Sequence, residues 1–178
     1  MTDFLLRQMR HGVWANERLL ERCRALTDEQ LELTAAGTYG TIRKTLAHIV
    51  ASEEGYLVRL LGSLLHEPAV REQDLVTLDK IGAHIAHVAS AAERLYAKAS
   101  PDPDRVIADT PLRRPGAPRF EMAAWAPAAQ FVHHGIDHRS QIDTILSTHG
   151  LETLDLQVWP YAMELGASRE VKETDATR

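Results

Sequence analysis

The chain has 178 residues, of which 44% are hydrophobic and 25% are charged, and its formal net charge at pH 7 is −5. This length and composition predict one globular domain with a sizeable core. An acidic balance without a basic cluster argues against binding to a nucleic-acid backbone, and the apolar runs are far shorter than the roughly 20 residues of a membrane span. We therefore expect neither nucleic acid nor a membrane among the partners.

The spacing of hydrophobic residues predicts four long helices, at about 2–26, 41–65, 74–99 and 126–149. In each of these segments apolar side chains recur at three- and four-residue steps, which gives the helix one apolar face. The fourth helix should end at Gly150, because glycine commonly follows the last helical turn. The pattern predicts a four-helix bundle.

A proline-rich stretch separates the third helix from the fourth. Five of the eight prolines lie between Pro101 and Pro118, so no helix can cross these residues. We expect a long irregular crossover, with a short hairpin around Pro115-Gly116 as one candidate, and no strand pattern strong enough to build a sheet.

The end of the chain divides into an apolar patch and a polar tail. Residues 154–165 predict a short C-terminal helix that packs across the bundle, and residues 167–178 predict a disordered tail. The fold class is therefore all-α, with one domain spanning residues 1–166. The lone Cys23 excludes an intramolecular disulfide and lies on an apolar stripe, so we expect it buried in the core of a cytoplasmic protein.

His134 and His138 are the most informative pair of residues. They stand four positions apart, so they share one face of the predicted fourth helix, and that face is otherwise apolar. Two imidazoles stacked in an apolar environment must satisfy their ring nitrogens, and a divalent metal binds both at once. His48 is the candidate third ligand of a three-histidine metal site inside the bundle. The alternative is a set of surface histidines or hydrogen-bonded core histidines.

Small residues follow His48 along its own helix face. Ser52 and Gly55 would leave room beside the imidazole for a substrate pocket, or they would instead allow close packing between helices. His84 and His87 on the third helix form a rival pair, which we expect to be solvated.

Two polar residues interrupt the inward stripes. Asn16 and Glu53 would orient a ligand or a bound water if they lay around a metal. Alternatively, Glu53 pairs with an arginine at the bundle edge and Asn16 fixes the helix register, and we favour these structural roles. Glu53 is the one inward carboxylate that we can nominate as a catalytic general base.

Three segments resemble the DinB/YfiT-like family of metal-binding four-helix bundles. They are Val13-Trp14-Ala15-Asn16, Thr45-Leu46-Ala47-His48-Ile49, and His134-x-x-x-His138-Arg-x-Gln, which ends at Gln141. In the family the arginine of the third motif is often followed by glycine, where this chain has Ser140. This departure leaves the three histidines untouched.

The resemblance implies that His48, His134 and His138 bind a divalent metal, often zinc or nickel, and we expect Gln141 among the groups around it. Iron(II) also accepts imidazole ligands. It also implies an up-down-down-up bundle and a homodimer, although the short link around His66–Glu72 would by itself favour antiparallel neighbours. Characterised members of the family include transferases that use low-molecular-weight thiols such as mycothiol or bacillithiol.

A three-histidine metal with open positions supports two kinds of chemistry. It can activate water, which gives a hydrolase, or it can favour the thiolate of a thiol and direct it at an electrophile. Because of the resemblance we favour a thiol transferase that acts on small electrophiles. The rival from another class is a non-catalytic, dimeric bundle whose histidines only pack.

Overall fold

The computed structural model describes residues 3–61, 71–97, 102–108 and 120–169. Four long helices are present, and two short helices accompany them. They are α1 (Asp3–Arg24), α2 (Asp28–Leu31), α3 (Ile42–Leu61), α4 (Leu78–Ala97), α5 (Trp125–Thr148) and α6 (Val158–Glu164). The all-α fold predicted from hydrophobic spacing is confirmed. The predicted end of the second helix at residue 65 lies outside the described residues, as does His66.

Periodicity did not predict helix α2 or the 3-10 turn at Glu72–Asp74, and local capping explains α2. Thr27 accepts the amide N–H of Gln30 through its hydroxyl, while the Gln30 side chain accepts the amide N–H of Thr27. This reciprocal capping box starts a single helical turn. A turn of that length is too short to show a repeating apolar face.

The four long helices surround one hydrophobic core. Helix α1 packs on α4 and α5, and α3 packs on the same two helices, so α1 and α3 lie on opposite corners of the bundle. The largest fully buried apolar side chains come from all four helices: Met9, Leu19, Ile42, Leu46, Ile49, Leu57, Ile81, Phe131, Ile142, Ile145 and Leu146. Burying each such side chain contributes roughly 1.5–3 kcal/mol.

Contacts between α1 and α4 show that these helices are antiparallel. Arg10 pairs with Glu93 near the end of α4, whereas Arg24 at the end of α1 approaches Asp79 at the start of α4. Helices α3 and α5 are likewise antiparallel, because His48 contacts His138 and the later residue Tyr56 contacts His134.

Helices α1 and α5 run in the same direction. Gly12 of α1 faces the ring of Phe131 of α5. Closer to the C-terminal end of both helices, Asn16 of α1 accepts a hydrogen bond from Arg139 of α5. The bundle is therefore up-down-down-up, and the expectation that the link around His66–Glu72 joins antiparallel neighbours is wrong. That link returns to the beginning of α3, where Glu72 lies beside His48.

A two-stranded antiparallel ladder follows α4. Strand β1 (Val106–Ala108) pairs with β2 (Glu121–Ala123), and Ile107 opposite Met122 is buried against the bundle. This ladder agrees with the short hairpin that the sequence offers as one candidate for this stretch, and its strands of three residues are too short to display an alternating pattern. The candidate turn at Pro115-Gly116 lies outside the described residues.

Helix α6 packs on α1 through one of its faces. Tyr161 stacks near His11 and Trp14, and Glu164 accepts hydrogen bonds from Trp14 and Arg18. The predicted short C-terminal helix is therefore present, although Val158 and Trp159 point away from the bundle. Residues 170–178 of the predicted tail lie outside the described residues. None of the described helices combines the length and apolar character that a membrane span requires.

Candidate metal centre

The structure brings His48 from α3 together with His134 and His138 from α5. Each imidazole offers one ring nitrogen, and these nitrogens all lie within 4.8 Å of one another. The Nε2 atoms of His48 and His134 are 3.1 Å apart. Two nitrogens bonded to one ion at about 2.0–2.1 Å would be separated by about 3 Å. The spatial convergence predicted from two separate segments is confirmed, and the spacing fits a single metal ion.

His48 is oriented by a carboxylate from the link after α3. Its Nδ1 lies 3.1 Å from Oε2 of Glu72, and an ionised carboxylate can only accept, so Nδ1 carries the proton. The Nε2 lone pair therefore points toward the other histidines. Burial lowers the pKa of His48, against the opposing effect of Glu72, and this favours the neutral form that a metal requires.

His138 is oriented in the same way by Gln141. Oε1 of Gln141 accepts the backbone N–H of Tyr39 at 2.9 Å, which fixes the orientation of the amide because a backbone N–H can only donate. The same oxygen lies 3.1 Å from Nδ1 of His138, so this nitrogen also carries its proton. The Nε2 atom of His138 is left to bind a metal.

His134 contributes the most strongly perturbed imidazole. Its pKa is lowered to about 4 by burial first, and then by the neighbouring His138, His48 and Arg139. The ring is therefore neutral at pH 7. Its Nε2 faces the unprotonated Nε2 of His48, and its buried Nδ1 has no hydrogen-bond partner among the described residues. Either a proton on Nε2 of His134 or a cation bound to both rings accounts for this short contact, and a divalent metal could bind one nitrogen from all three histidines.

A buried polar network lies beside the histidines. Nδ2 of Asn16 donates to Glu53 at 2.7 Å, Nη1 of Arg139 donates to Asn16 at 2.9 Å, and the guanidinium and the Glu53 carboxylate are 3.7 Å apart. All three residues are at most 5% exposed. Glu53 therefore pairs with an arginine, as predicted for a structural role. The pair lies in the interior of the bundle, however, and not at its edge.

The placement of Glu53 bears on its nomination as a general base. Burial raises its pKa to about 7, while Arg139 and Asn16 oppose that rise. Its carboxylate contacts Asn16 and Arg139 among the described residues rather than one of the three imidazoles. A catalytic role for Glu53 stays a prediction, and these contacts do not support it.

The small residues after His48 are half-buried on α3. Ser52 and Gly55 lie about one and two turns beyond His48, and the carbonyl of Gly55 accepts a hydrogen bond from Arg59 at 2.8 Å. A Cβ atom on Gly55 would meet the Arg59 guanidinium at 3.4 Å, so this side chain fills part of the expected space. Their role in a substrate pocket stays a prediction.

Of the rival pair on α4, His87 is exposed as expected, whereas His84 is not. His84 lies 3.3 Å from the buried carboxylate of Glu54, its side chain is only 18% exposed, and its ring is 5.4 Å from that of His87. These residues do not join a third donor at ligand spacing in the described part of the chain. His84 is thus a half-buried histidine paired with a carboxylate.

Sequence reasoning missed Tyr39 and Glu72, which complete the surroundings of the imidazoles. Tyr39 stacks on His48 with ring centroids 4.0 Å apart, and its hydroxyl donates to Glu72 at 2.7 Å. Both residues lie in connecting segments without hydrophobic periodicity. The positive φ of 82° at Gly37 marks the turn before Tyr39, but nothing in the sequence indicates that this turn reaches the histidines.

Fold and site together define a helical bundle with a three-histidine centre that is positioned to hold a divalent metal. The DinB family model matches residues 1–165, and the chain therefore belongs to the DinB family. A comparison with curated proteins finds no match.

Proposed function

We propose that this chain is a divalent-metal-dependent thiol transferase, which joins a low-molecular-weight thiol to a small electrophile. The observation that carries the proposal is the convergence of His48, His134 and His138 on one point. Zinc and nickel are the favoured ions, and iron(II) is also compatible with imidazole ligands. A metal held there would act as a Lewis acid that lowers the pKa of a coordinated thiol.

The residues of the chain prepare the site by supplying neutral ligands in fixed orientations. Glu72 holds the N–H of His48, and Gln141 holds the N–H of His138, so each ring keeps one nitrogen free. Three neutral imidazoles leave the full positive charge on a divalent ion. Such a donor set therefore favours binding of an anionic thiolate.

The surroundings favour a thiol over water as the nucleophile. A thiol has a pKa of about 8.5, so it ionises near neutral pH with little help, whereas water needs a much larger shift and benefits from a general base. The nominated base Glu53 is engaged by Asn16 and Arg139. Hydrolysis remains the runner-up because the same ligand set can activate water.

A cavity of the size of a small-ligand pocket shares Glu72 with the surroundings of His48, and none of the three histidines lines it. It has a volume of about 410 Å³ and is lined by Glu72, Lys44 and Arg43, among others. That volume falls within the range of small-ligand pockets, and Glu72 belongs to both the cavity wall and the surroundings of His48. Lys44 in the lining would suit a thiol that carries a carboxylate, whereas Arg43 is already paired with Glu32 and Asp28.

The reducing cytoplasm is the proposed location, because low-molecular-weight thiols are kept reduced there. We also propose a homodimer, as the family resemblance implies. Exposed apolar side chains on and after α6, including Trp159 and Met163, would contribute to such an interface. Light scattering of the purified chain tests the dimer.

A conjugation assay tests the proposed activity. Metal-loaded protein is incubated with monochlorobimane and, in turn, with mycothiol, bacillithiol and glutathione, and formation of the fluorescent adduct is followed. We expect the rate to exceed background with at least one thiol and to fall to background in His134→Ala. Protein that binds metal but accelerates no conjugation would contradict the transferase proposal and direct attention to ester and amide hydrolysis.

A further inference from the structure

Tyr39 donates two hydrogen bonds to the groups that orient the imidazoles. Its hydroxyl donates to Oε2 of Glu72 at 2.7 Å, and its backbone N–H donates to Oε1 of Gln141 at 2.9 Å. The same two oxygens accept the Nδ1 protons of His48 and His138. One residue of the loop between α2 and α3 thus connects the outer partners of ligands from two different helices.

The Tyr39 ring also contacts both imidazoles directly. It stacks on His48 with an interplanar angle of 19°, and its edge-to-face contact with His138 has a centroid distance of 5.3 Å. Tyr39 is 40% exposed, so part of its ring surface remains in contact with solvent while the rest packs on the imidazoles. The pKa of Tyr39 is raised to about 12 by burial and by Glu72, so the hydroxyl remains a donor at neutral pH.

The loop itself is held in place by local hydrogen bonds. The hydroxyl of Thr38 donates to the carbonyl of Ala35 at 2.8 Å, and the turn at Gly37 has a positive φ that favours glycine. Tyr39 is therefore presented from a structured turn. A donor held in a fixed position can restrict the orientation of the side chains that accept its hydrogen bonds.

We propose that Tyr39 is a positioning residue of the metal centre, which keeps Glu72 and Gln141 where they hold His48 and His138 in the Nδ1–H tautomer. Both rings then present Nε2 before a metal arrives, and less ordering is required when it binds. The inference rests on the proposed metal site. It goes beyond that proposal because Tyr39 does not bind the metal itself and acts only through Glu72 and Gln141.

The side-chain and backbone hydrogen bonds of Tyr39 can be tested separately in the metal-free protein, because Tyr39→Phe removes the hydroxyl but keeps the backbone N–H. Nitrogen-15 NMR of the histidine rings reports the tautomer of each imidazole. In the wild-type chain we expect His48 and His138 as Nδ1–H tautomers. In Tyr39→Phe we expect only His48 to change, and in Gln141→Ala we expect only His138 to change.

Zinc affinity, measured by competition with a chromogenic chelator, gives the second readout. We expect Tyr39→Phe to weaken zinc binding about tenfold, the lower end of the usual effect of removing an outer partner. The matched control is Tyr161→Phe, which removes a phenol hydroxyl from the aromatic cluster around His11 and should leave both readouts unchanged.

The outcomes separate the inference from the proposed function. Suppose that the wild type binds zinc, and that Tyr39→Phe binds it with equal affinity and leaves the His48 tautomer unchanged. This result would overturn the positioning role alone. A change in both histidines of Tyr39→Phe would indicate general loosening of the site and would also overturn it. A wild-type chain that binds none of zinc, nickel and iron(II) would overturn the proposed function, and the positioning role with it.

Discussion

The guanidinium of Arg139 and the carboxylate of Glu53 face each other at 3.7 Å across the contact between α5 and α3. Arg139 directly follows the ligand His138, and Glu53 lies five residues after the ligand His48. Because Asn16 bonds to both members of the pair, α1 is joined to the same network. The relative placement of the helices that carry the three histidines is therefore fixed by buried polar contacts as well as by apolar packing.

Gly135 allows this network to lie against the backbone of α5. A Cβ atom at this position would be 2.7 Å from Nη1 of Arg139 and 2.9 Å from Oε1 of Glu53, and a shift of Arg139 would strain its hydrogen bond to Asn16. Alanine is preferred to glycine in a helix by about 1 kcal/mol, yet we expect Gly135→Ala to lower the free energy of unfolding by about 1–2 kcal/mol.

Urea denaturation measures that change, and Gly12→Ala is the matched control. A Cβ atom on Gly12 would lie 3.4 Å from the ring of Phe131, which is a normal van der Waals separation. We expect the control to be neutral or slightly stabilising. A Gly135→Ala variant more stable than the wild type would show that the network tolerates a side chain at this point.

The pH dependence of stability should carry a signature of Glu53. Its folded-state pKa is raised from 4.5 to about 7, since desolvation outweighs the attraction of Arg139. The folded state therefore holds this proton more tightly, and the resulting stabilisation is complete below pH 4.5 and is lost as the pH rises through 7. Relative to Glu53→Gln, we expect the wild type to lose up to about 3 kcal/mol between these pH values.

Unfolding curves of both proteins across this pH range test the sign as well as the size. The comparison removes the contributions of the other titrating groups, because they are common to the two chains. If the wild type instead became more stable relative to Glu53→Gln as the pH rose, Arg139 would be keeping Glu53 ionised in the folded state.

Cys23 should take no part in the chemistry. Its side chain is 1% exposed, and burial raises the pKa of the thiol to about 12, so it is protonated and inaccessible at neutral pH. We expect no reaction with Ellman's reagent in the native protein and one equivalent of released thiol in urea. Rapid labelling of the native chain would contradict this assignment and would introduce a second candidate nucleophile.

The helices and the histidine site could be predicted because their signals are local. Apolar side chains at helical spacing mark each long helix, and His134 and His138 share a helix face by their spacing alone. His48 was the natural third member because it stands near the inward face of another helix. Its convergence with the pair depended on the fold, which the resemblance to a known family supplied.

The parts that could not be predicted depend on distant contacts of connecting segments. Tyr39 reaches Gln141, and Glu72 reaches His48, from a loop and a link that have no periodic pattern. The direction of α4 agrees with the up-down-down-up bundle that the family resemblance implies, and nothing in the helix sequence itself indicates it. The burial of Arg139 has no signal in the sequence either, since most arginine residues are exposed.

Metal content is the most direct test of a three-histidine centre in this chain. The protein and two variants are dialysed against a weak chelator and analysed for bound metals by mass spectrometry. His134→Ala removes a proposed ligand, whereas His133→Ala removes the adjacent exposed histidine from the same helix and serves as the control. We expect close to one divalent ion per chain in the wild type and in His133→Ala, and less than about a tenth in His134→Ala. Equal metal content in all three proteins, or none in the wild type, would contradict the proposed centre.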